Sequence, residues 1–167
     1  MAFLGLFAKK PKLKAEEISI NFCGGKIELN GKEFDYPCHF SVIKEVLGKS
    51  RVHKTRSGNS IYTYDEYGLM FYTKGNNVMF CIEIRAKSDE QRRKFDPKKA
   101  FCGTMTIEGQ QWEEFMSDGE DVDFGRRRVF DGTSFIAEFA DGKFGDYIDC
   151  HGAYYSLSVE LATFDDD

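Results

Sequence analysis

The chain has 167 residues, of which 41% are hydrophobic and 15% aromatic, and its net charge at pH 7 is −5. That length suits one domain, and 16 Phe with 8 Tyr supply far more apolar surface than a disordered chain carries. No apolar run approaches the roughly 18 residues that a membrane-spanning helix needs. We therefore expect a globular domain without a membrane span.

Residues 1–17 form an apolar run followed by a basic stretch. The run covers residues 2–8, and Lys9, Lys10, Lys12 and Lys14 come after it, around Pro11. A secretory signal places its positive charges before the apolar run, so we expect no export by this segment. The pattern predicts an N-terminal segment docked on the domain and a basic linker, with a short amphipathic lipid anchor as the alternative.

The first half then alternates strands with one helix. Apolar and polar residues alternate over 18–22 and 26–29, and Asn30-Gly31 predicts a hairpin turn. Residues 41–47 carry apolar side chains at helical spacing, with Ser41 as the predicted N-cap and Gly48 as the terminating residue. Residues 51–60 are polar and predict a loop. Strands are predicted over 61–64, 69–73 and 78–84, and a charged connector over 85–99.

The second half repeats part of this pattern. Residues 105–112 match residues 27–34 at an offset of 78, and residues 157–161 match residues 80–84 at an offset of 77. Between these matches, the sequence predicts a helix over 111–116 and strands over 134–139 and 147–150. We expect one α+β domain over 18–167, a largely antiparallel sheet with short helices built from two pseudo-repeated strand–helix–strand–strand units, 18–84 and 101–162. Any two alternating strands look alike, which is the alternative to a repeat.

A family resemblance is carried by the helix 41–48, which ends in Leu-Gly, the Tyr-x-Tyr-Asp strand 61–65, and the Gly-apolar-x-aromatic strand 68–71. This pattern resembles that of small bacterial proteins encoded beside secreted toxins. It is distantly similar to tandem-repeat inhibitor folds that bind enzymes through a concave sheet. The resemblance covers residues 27–84, carries no catalytic residue, and implies a protein-binding role of immunity type.

Catalytic and metal-binding motifs are missing from the sequence. It has no phosphate-binding glycine loop, no nucleophile elbow and no zinc-protease motif, and its three histidines have no spacing that suggests a catalytic base. Arg126, Arg127 and Arg128 could clamp a phosphate, but a strand would divide them between two faces and nearby acids would neutralise them. We expect no catalytic residue, no cofactor and no nucleic-acid partner.

The five cysteines predict free thiols. Cys23, Cys38, Cys81, Cys102 and Cys150 are odd in number and form no Cys-x-x-Cys pair, which is typical of a reducing cytoplasm. Two of them are followed by histidine, in Cys38-His39 and Cys150-His151. Because neighbouring residues on a strand point to opposite faces, each pair offers a metal only one ligand, and we expect no metal site.

Charge is distributed unevenly along the chain. The first 100 residues carry 19 Lys and Arg against 12 Asp and Glu, whereas the last 67 carry 4 against 16. The densest acidic stretch lies beside the single tryptophan and supplies the predicted partner-binding residues: Trp112, Glu113, Glu114, Asp118, Glu120, Asp121 and Asp123. Acids around an exposed aromatic suit a basic protein partner, and a solvated loop that keeps the protein soluble is the alternative.

The sequence thus predicts a cytoplasmic bacterial protein of immunity type, which neutralises a cognate basic toxin by covering its active site with an acidic surface. Two alternatives remain at this point. One is a small intracellular enzyme, and the other is an assembly component that joins its basic and acidic halves head to tail.

Overall fold

A computed structural model describes residues 13–86, 93–122, 125–139 and 154–161. Its elements in chain order are a 3₁₀ turn (Ala15–Glu17), β1(Ser19–Cys23), β2(Lys26–Leu29), β3(Lys32–Asp35), α1(Ser41–Leu47), β4(Arg51–Lys54), β5(Ser60–Tyr64), β6(Leu69–Thr73), β7(Met79–Arg85), β8(Thr104–Ile107), β9(Gln110–Gln111), α2(Trp112–Ser117), β10(Glu120–Val122), β11(Gly125–Phe130), β12(Thr133–Phe139) and β13(Tyr154–Leu161). Mostly antiparallel strands with a few short helices confirm an α+β-like class. The predicted strand over 147–150 lies outside the described residues.

The strands form two sheets, so the prediction of a single sheet is wrong. One sheet has the order β3-β2-β1-β8-β9, and the other has the order β10-β11-β12-β13-β7-β6-β5-β4. Pairing is antiparallel except between β1 and β8, which run parallel. Both sheets carry alternating apolar residues, and these faces bury each other: Phe22 of β1 packs edge-on against Phe135 of β12 with ring centroids 5.9 Å apart. Alternation indicates that a strand has one buried face, but not which sheet contains it.

Two hairpins in the smaller sheet share one turn geometry. Asn30 and Gly31 have φ of 50° and 78°, and Glu108 and Gly109 have φ of 49° and 80°. Positive φ at both central residues is typical of the type I′ turn, which matches the twist of paired strands. The Asn30 side chain also accepts a hydrogen bond from the Ser19 backbone N–H at 2.8 Å. The turn predicted at Asn30-Gly31 is confirmed.

Helix α1 begins one residue earlier than its predicted cap implies. Ser41 is the first helical residue, and Phe40 occupies the N-cap position without a side-chain hydrogen bond. The Ser41 hydroxyl instead lies 2.9 Å from His39 Nδ1. Gly48 ends the helix with φ of 79° and donates its N–H to the Lys44 carbonyl at 2.9 Å. The glycine stop is confirmed, and the serine cap is wrong by one position.

The predicted loop over residues 51–60 begins with a strand. Residues 51–54 form β4, which pairs with β5 at the edge of the larger sheet. Polar side chains on both faces of β4 hide the alternation that marks other strands, because an edge strand buries little of either face. The turn follows only after it, where the Thr55 N–H donates to the Asn59 carbonyl at 3.0 Å.

The connector between β7 and β8 crosses the outer face of the larger sheet, the face directed away from the smaller sheet. Within its described part, the Phe95 carbonyl accepts a hydrogen bond from Thr63 Oγ1 at 2.7 Å, and the Pro97 carbonyl accepts one from the buried Arg85 at 2.7 Å. Gly68 allows this close approach, since a Cβ there would lie 2.2 Å from the Phe101 nitrogen. The connector therefore covers the β5–β7 part of the sheet.

Candidate functional site

Five of the predicted partner-binding residues lie on one exposed surface. Glu113 and Glu114 lie on α2, Asp118 follows the helix, and Glu120 and Asp121 lie on β10. The five side chains are exposed. Helix and strand are joined by one tight turn, in which the Gly119 N–H donates to the Met116 carbonyl at 3.0 Å. We call these five residues the acidic surface; Asp123 lies outside the described residues.

Trp112 is not the exposed aromatic that the sequence analysis expected. Its side chain is only 6% exposed and belongs to the hydrophobic core. Trp112, Phe115 and Met116 occupy positions i, i+3 and i+4 of α2, and this spacing places them on one buried face. The tryptophan therefore holds the helix on the core and leaves the two glutamates beside it in solvent.

Strand β11 brings arginines to the acidic surface. Arg126 Nε lies 3.1 Å from Asp121 Oδ1, and Arg128 lies 3.5 Å from Asp118 Oδ2 with its guanidinium 4.0 Å above the Phe115 ring. Arg127 lies on the opposite face of β11, where its Nε donates a hydrogen bond to Ser134 Oγ at 3.3 Å. The arginines thus divide between two faces, as strand alternation predicts.

Three glutamates of the acidic surface remain unneutralised. Within the described ranges, Glu113, Glu114 and Glu120 form no ion pair at 4.0 Å or less. Their charges project into solvent, where they act on an approaching partner over about a Debye length, roughly 8 Å at physiological salt.

Sequence reasoning missed an exposed aromatic residue that packs against α2. Phe130 is 41% exposed at the end of β11, next to Val129, which is 51% exposed. The Phe130 ring packs edge-on against Phe115 of α2 with centroids 6.2 Å apart. The available signal was Asp131-Gly132, a hairpin turn with φ of 46° and 71° that places Phe130 at an exposed strand end.

A surface cavity of about 560 Å³ lies between the end of α1 and the turn after β5. Its floor contains Arg51, which donates two hydrogen bonds to Asp65 at 3.1 and 2.9 Å, and Tyr64, which donates to the Gly48 carbonyl at 3.2 Å. These hydrogen bonds hold the pKa of Asp65 below its usual range. Because these polar groups bind one another, we assign them a structural role.

A buried ionic cluster lies under the connector. Glu83 is 3% exposed, accepts a hydrogen bond from the Tyr72 hydroxyl at 2.5 Å, and forms an ion pair with Arg93. Arg93 also binds Asp96 at 2.7 Å. Burial raises the pKa of Glu83, although the Arg93 guanidinium opposes that shift. Tyr72 and Glu83 lie on the sheet, whereas Arg93 and Asp96 lie on the connector, so the cluster fastens the connector to the sheet.

The described part of the chain contains no group of three or more His, Cys, Asp or Glu residues arranged to hold a metal ion. Cys38 is partly buried, and burial raises its pKa to about 11. His39 next to it binds Ser41, while Cys150-His151 lies outside the described residues. Among the described helices, none has the length and apolar character required to cross a bilayer.

Comparison with known protein families assigns most of the described chain to a family. Residues 17–121 match a family described as a domain of unknown function, DUF7738. The matched range extends from the 3₁₀ turn before β1 into β10. It includes α2 and all five residues of the acidic surface, and Asp121 is its last residue. Neither a curated protein nor a solved structure matches the chain.

Proposed function

This chain belongs to the DUF7738 family, whose function is unknown, and we propose that it is a cytoplasmic bacterial immunity-type protein that neutralises a basic, secreted-type toxin. The observation that carries the proposal is an exposed aromatic ring, Phe130, which packs against Phe115 of α2, the helix that presents Glu113 and Glu114 to solvent. Protein interfaces commonly combine a desolvated aromatic anchor with a charged rim. Phe130 takes the role of anchor that the sequence analysis gave to Trp112.

The charges of the second half suit a basic partner. Exposed Glu113, Glu114 and Glu120 form the rim, and the last 67 residues contain 16 Asp and Glu against 4 Lys and Arg. Such a field accelerates association with a positively charged protein. A toxin whose cleft binds phosphate groups offers cations at that cleft, and covering them requires no catalytic group on the inhibitor.

We also propose that residues 18–84 and 101–162 are pseudo-repeats. Each contains a type I′ hairpin, a short helix and four strands of the larger sheet. From the central β7–β13 pair, the strand order of that sheet is β6-β5-β4 toward one edge and β12-β11-β10 toward the other. Ile82 pairs with Val159 at the centre, 77 residues apart. In an experimental structure, Gly31 should superpose on Gly109 and Glu83 on Glu160; different sheet positions for either pair would rule the repeat out.

The proposed function is tested by capture followed by inhibition. The immobilised protein is exposed to lysate of its own cells, in parallel with the variant E113K/E114K/E120K and a control, E16K/E28K/D35K, which changes the same number of exposed acids elsewhere on the surface. We expect the wild type and the control to retain a basic protein that the first variant loses, because only that variant reverses the rim.

The retained protein is then purified and assayed for toxicity and enzymatic activity. An equimolar amount of the wild-type protein should abolish that activity, and the rim variant should not. Equal capture by the rim variant, or a captured protein whose activity is unchanged by the wild type, would contradict the proposed function.

A further inference from the structure

We propose that a groove between α1 and the edge strand β4 binds an extended acidic peptide as an added strand. This groove lies on the β4–β7 side of the larger sheet, at the edge opposite to β10 and its acidic surface. It is a second site, so it goes beyond the proposed function and does not depend on it.

The walls of the groove are largely apolar. The cavity measures about 390 Å³, and its lining includes Phe40, Val52 and Tyr62 together with Lys44 and Lys49. The rings of Phe40 and Tyr62 stack with centroids 3.7 Å apart and an interplanar angle of 16°. Tyr62 is held in place by its hydroxyl, which donates to Asn77 Oδ1 at 3.0 Å. Val52 of β4 is 49% exposed at the open side. An apolar side chain of a partner can therefore enter a rigid aromatic pocket.

The charge of the groove has one sign. Lys44, Lys49 and His39 line it, and none of the lining residues is acidic. Lys44 and Lys49 are exposed and form no ion pair with any residue that the structure describes. Carboxylates on a bound chain would therefore find cations without displacing an existing pair, which selects an acidic partner.

The edge strand supplies main-chain hydrogen-bonding groups. Among the described strands, β4 pairs only with β5, and the Thr55 N–H donates to the Asn59 carbonyl at 3.0 Å. Because hydrogen-bonded and non-hydrogen-bonded pairs alternate in an antiparallel ladder, the backbone groups of Val52 and Lys54 point outward. An added strand would bind these groups and place alternate side chains toward the groove.

Basic side chains also restrict which chains can bind. Basic side chains on an exposed edge protect a sheet against unselective pairing with other strands. Lys54 of β4, together with Lys44 and Lys49 of the groove, thus disfavours basic chains, while an acidic segment is attracted. This combination favours a peptide over a small anion, because a small anion would leave the strand edge unused.

The first test uses a fluorescein-labelled peptide, Val-Glu-Val-Asp-Val-Glu-Val, and measures its affinity by fluorescence anisotropy. The variant K44E/K49E should bind at least about tenfold more weakly than the wild type, since it reverses both groove cations. The control K14E/K94E makes the same charge change at exposed lysines outside the groove and should bind within about twofold. Equal melting temperatures for the two variants exclude unfolding as the cause.

The second test addresses strand pairing in the wild-type protein. A peptide methylated on alternate backbone nitrogens loses its donors and should lose binding, and the unmodified peptide should slow hydrogen exchange at the Val52 and Lys54 amides. Equal binding by K44E/K49E, equal binding of the methylated peptide, or full displacement by N-acetylglutamate would overturn the proposal. If the free protein forms an oligomer and K44E/K49E is monomeric, the proposal is also overturned, because a second copy of the chain would then occupy the groove.

Discussion

The two ends of the larger sheet differ in charge while sharing an arrangement of strands. Strands β4–β7 run outward to a basic edge, Arg51–Lys54, and β13–β10 run outward to an acidic edge, Glu120–Val122. Their inner faces are equally buried, as Phe71 at 1% exposure and Phe135 at 2% show. The difference teaches that the core sets the scaffold and the outward side chains at its edges set which partners it can bind.

The largest expected effect is a loss of stability on removing a core residue at the acidic end, compared with removing a surface residue there. Trp112→Ala should lower the free energy of unfolding by about 3–5 kcal/mol, because it removes a buried indole and leaves a cavity. Phe130→Ala removes a ring that is 41% exposed and should lower it by less than about 1.5 kcal/mol, while weakening partner binding. Urea unfolding measures both. A similar stability loss for the two variants would mean that Phe130 is a core residue and not an anchor.

The second-largest effect is expected at the ionic cluster that fastens the connector to the basic half. Arg93→Ala removes the guanidinium that binds buried Glu83, and because Arg93 is itself partly exposed we expect a loss of about 2 kcal/mol. Burial raises the pKa of Glu83, so the stability that its protonated form contributes is complete below the unfolded pKa of ~4.3 and is lost as pH rises through the folded pKa. The Arg93 guanidinium opposes this shift, so without it the pKa is raised further and ionising Glu83 costs the variant more stability than the wild type. The stability deficit of the variant should therefore be larger at pH 8 than at pH 5.

The control for this prediction is Arg93→Ala combined with Glu83→Gln, which removes the titrating group and should flatten the pH dependence. Urea unfolding at the two pH values measures it. A deficit that is the same at pH 5 and pH 8 in Arg93→Ala would show that Glu83 does not carry a buried charge.

A smaller effect, in a lower pH range, is expected at Asp65. Asp65→Asn replaces the carboxylate that Arg51 binds twice and should cost about 1 kcal/mol, since the pair is partly exposed to solvent. Here the folded pKa is lowered, so the stabilisation is present above the unfolded value of ~3.9 and is lost as pH falls through the folded value. Thermal unfolding should show the gap between wild type and variant closing below pH 4; a constant gap would contradict the role of this pair.

The smallest effect concerns the thiols and leaves stability unchanged. Cys23 and Cys102 are exposed, whereas Cys81 is buried and Cys38 is partly buried with a pKa raised to about 11. Timed labelling with a disulfide reagent should modify Cys102 before Cys38 in the folded protein, because the thiolate is the reactive form. The denatured protein should release five thiols in all; fewer than five would contradict the predicted reduced state, and Cys38 reacting first would contradict its burial.

Much of the architecture was available from the sequence because it is local. The Asn30-Gly31 turn, the glycine stop at Gly48 and the alternating strands follow from backbone preferences of a few neighbouring residues. The partition into two sheets and the parallel pairing of β1 with β8 depend on contacts 85 residues apart, such as Asn21 with Thr106. No local pattern encodes those contacts.

The candidate site was predictable in its charges but not in its anchor. Charged side chains such as Glu113 and Glu114 are exposed by default, so their position follows from the sequence. An aromatic residue can be buried or exposed, and its position in the assembled fold decides which. Trp112 lies on the buried face of α2, while Phe130 lies at an exposed end of β11. The basic groove was missed because β4 looked like a loop and because its lining comes from α1, β4 and β5 together.

The most direct test of the acidic surface is the rate constant for association of the captured partner as the salt concentration is raised. Wild-type association should slow steeply, because salt screens the attraction between the rim glutamates and a basic partner. The variant E113K/E114K/E120K should associate slowly at low salt and lose this dependence, and Phe130→Ala should change mainly the dissociation rate. If the triple variant associates as fast as the wild type at every salt concentration, the acidic surface is not the surface that meets the partner.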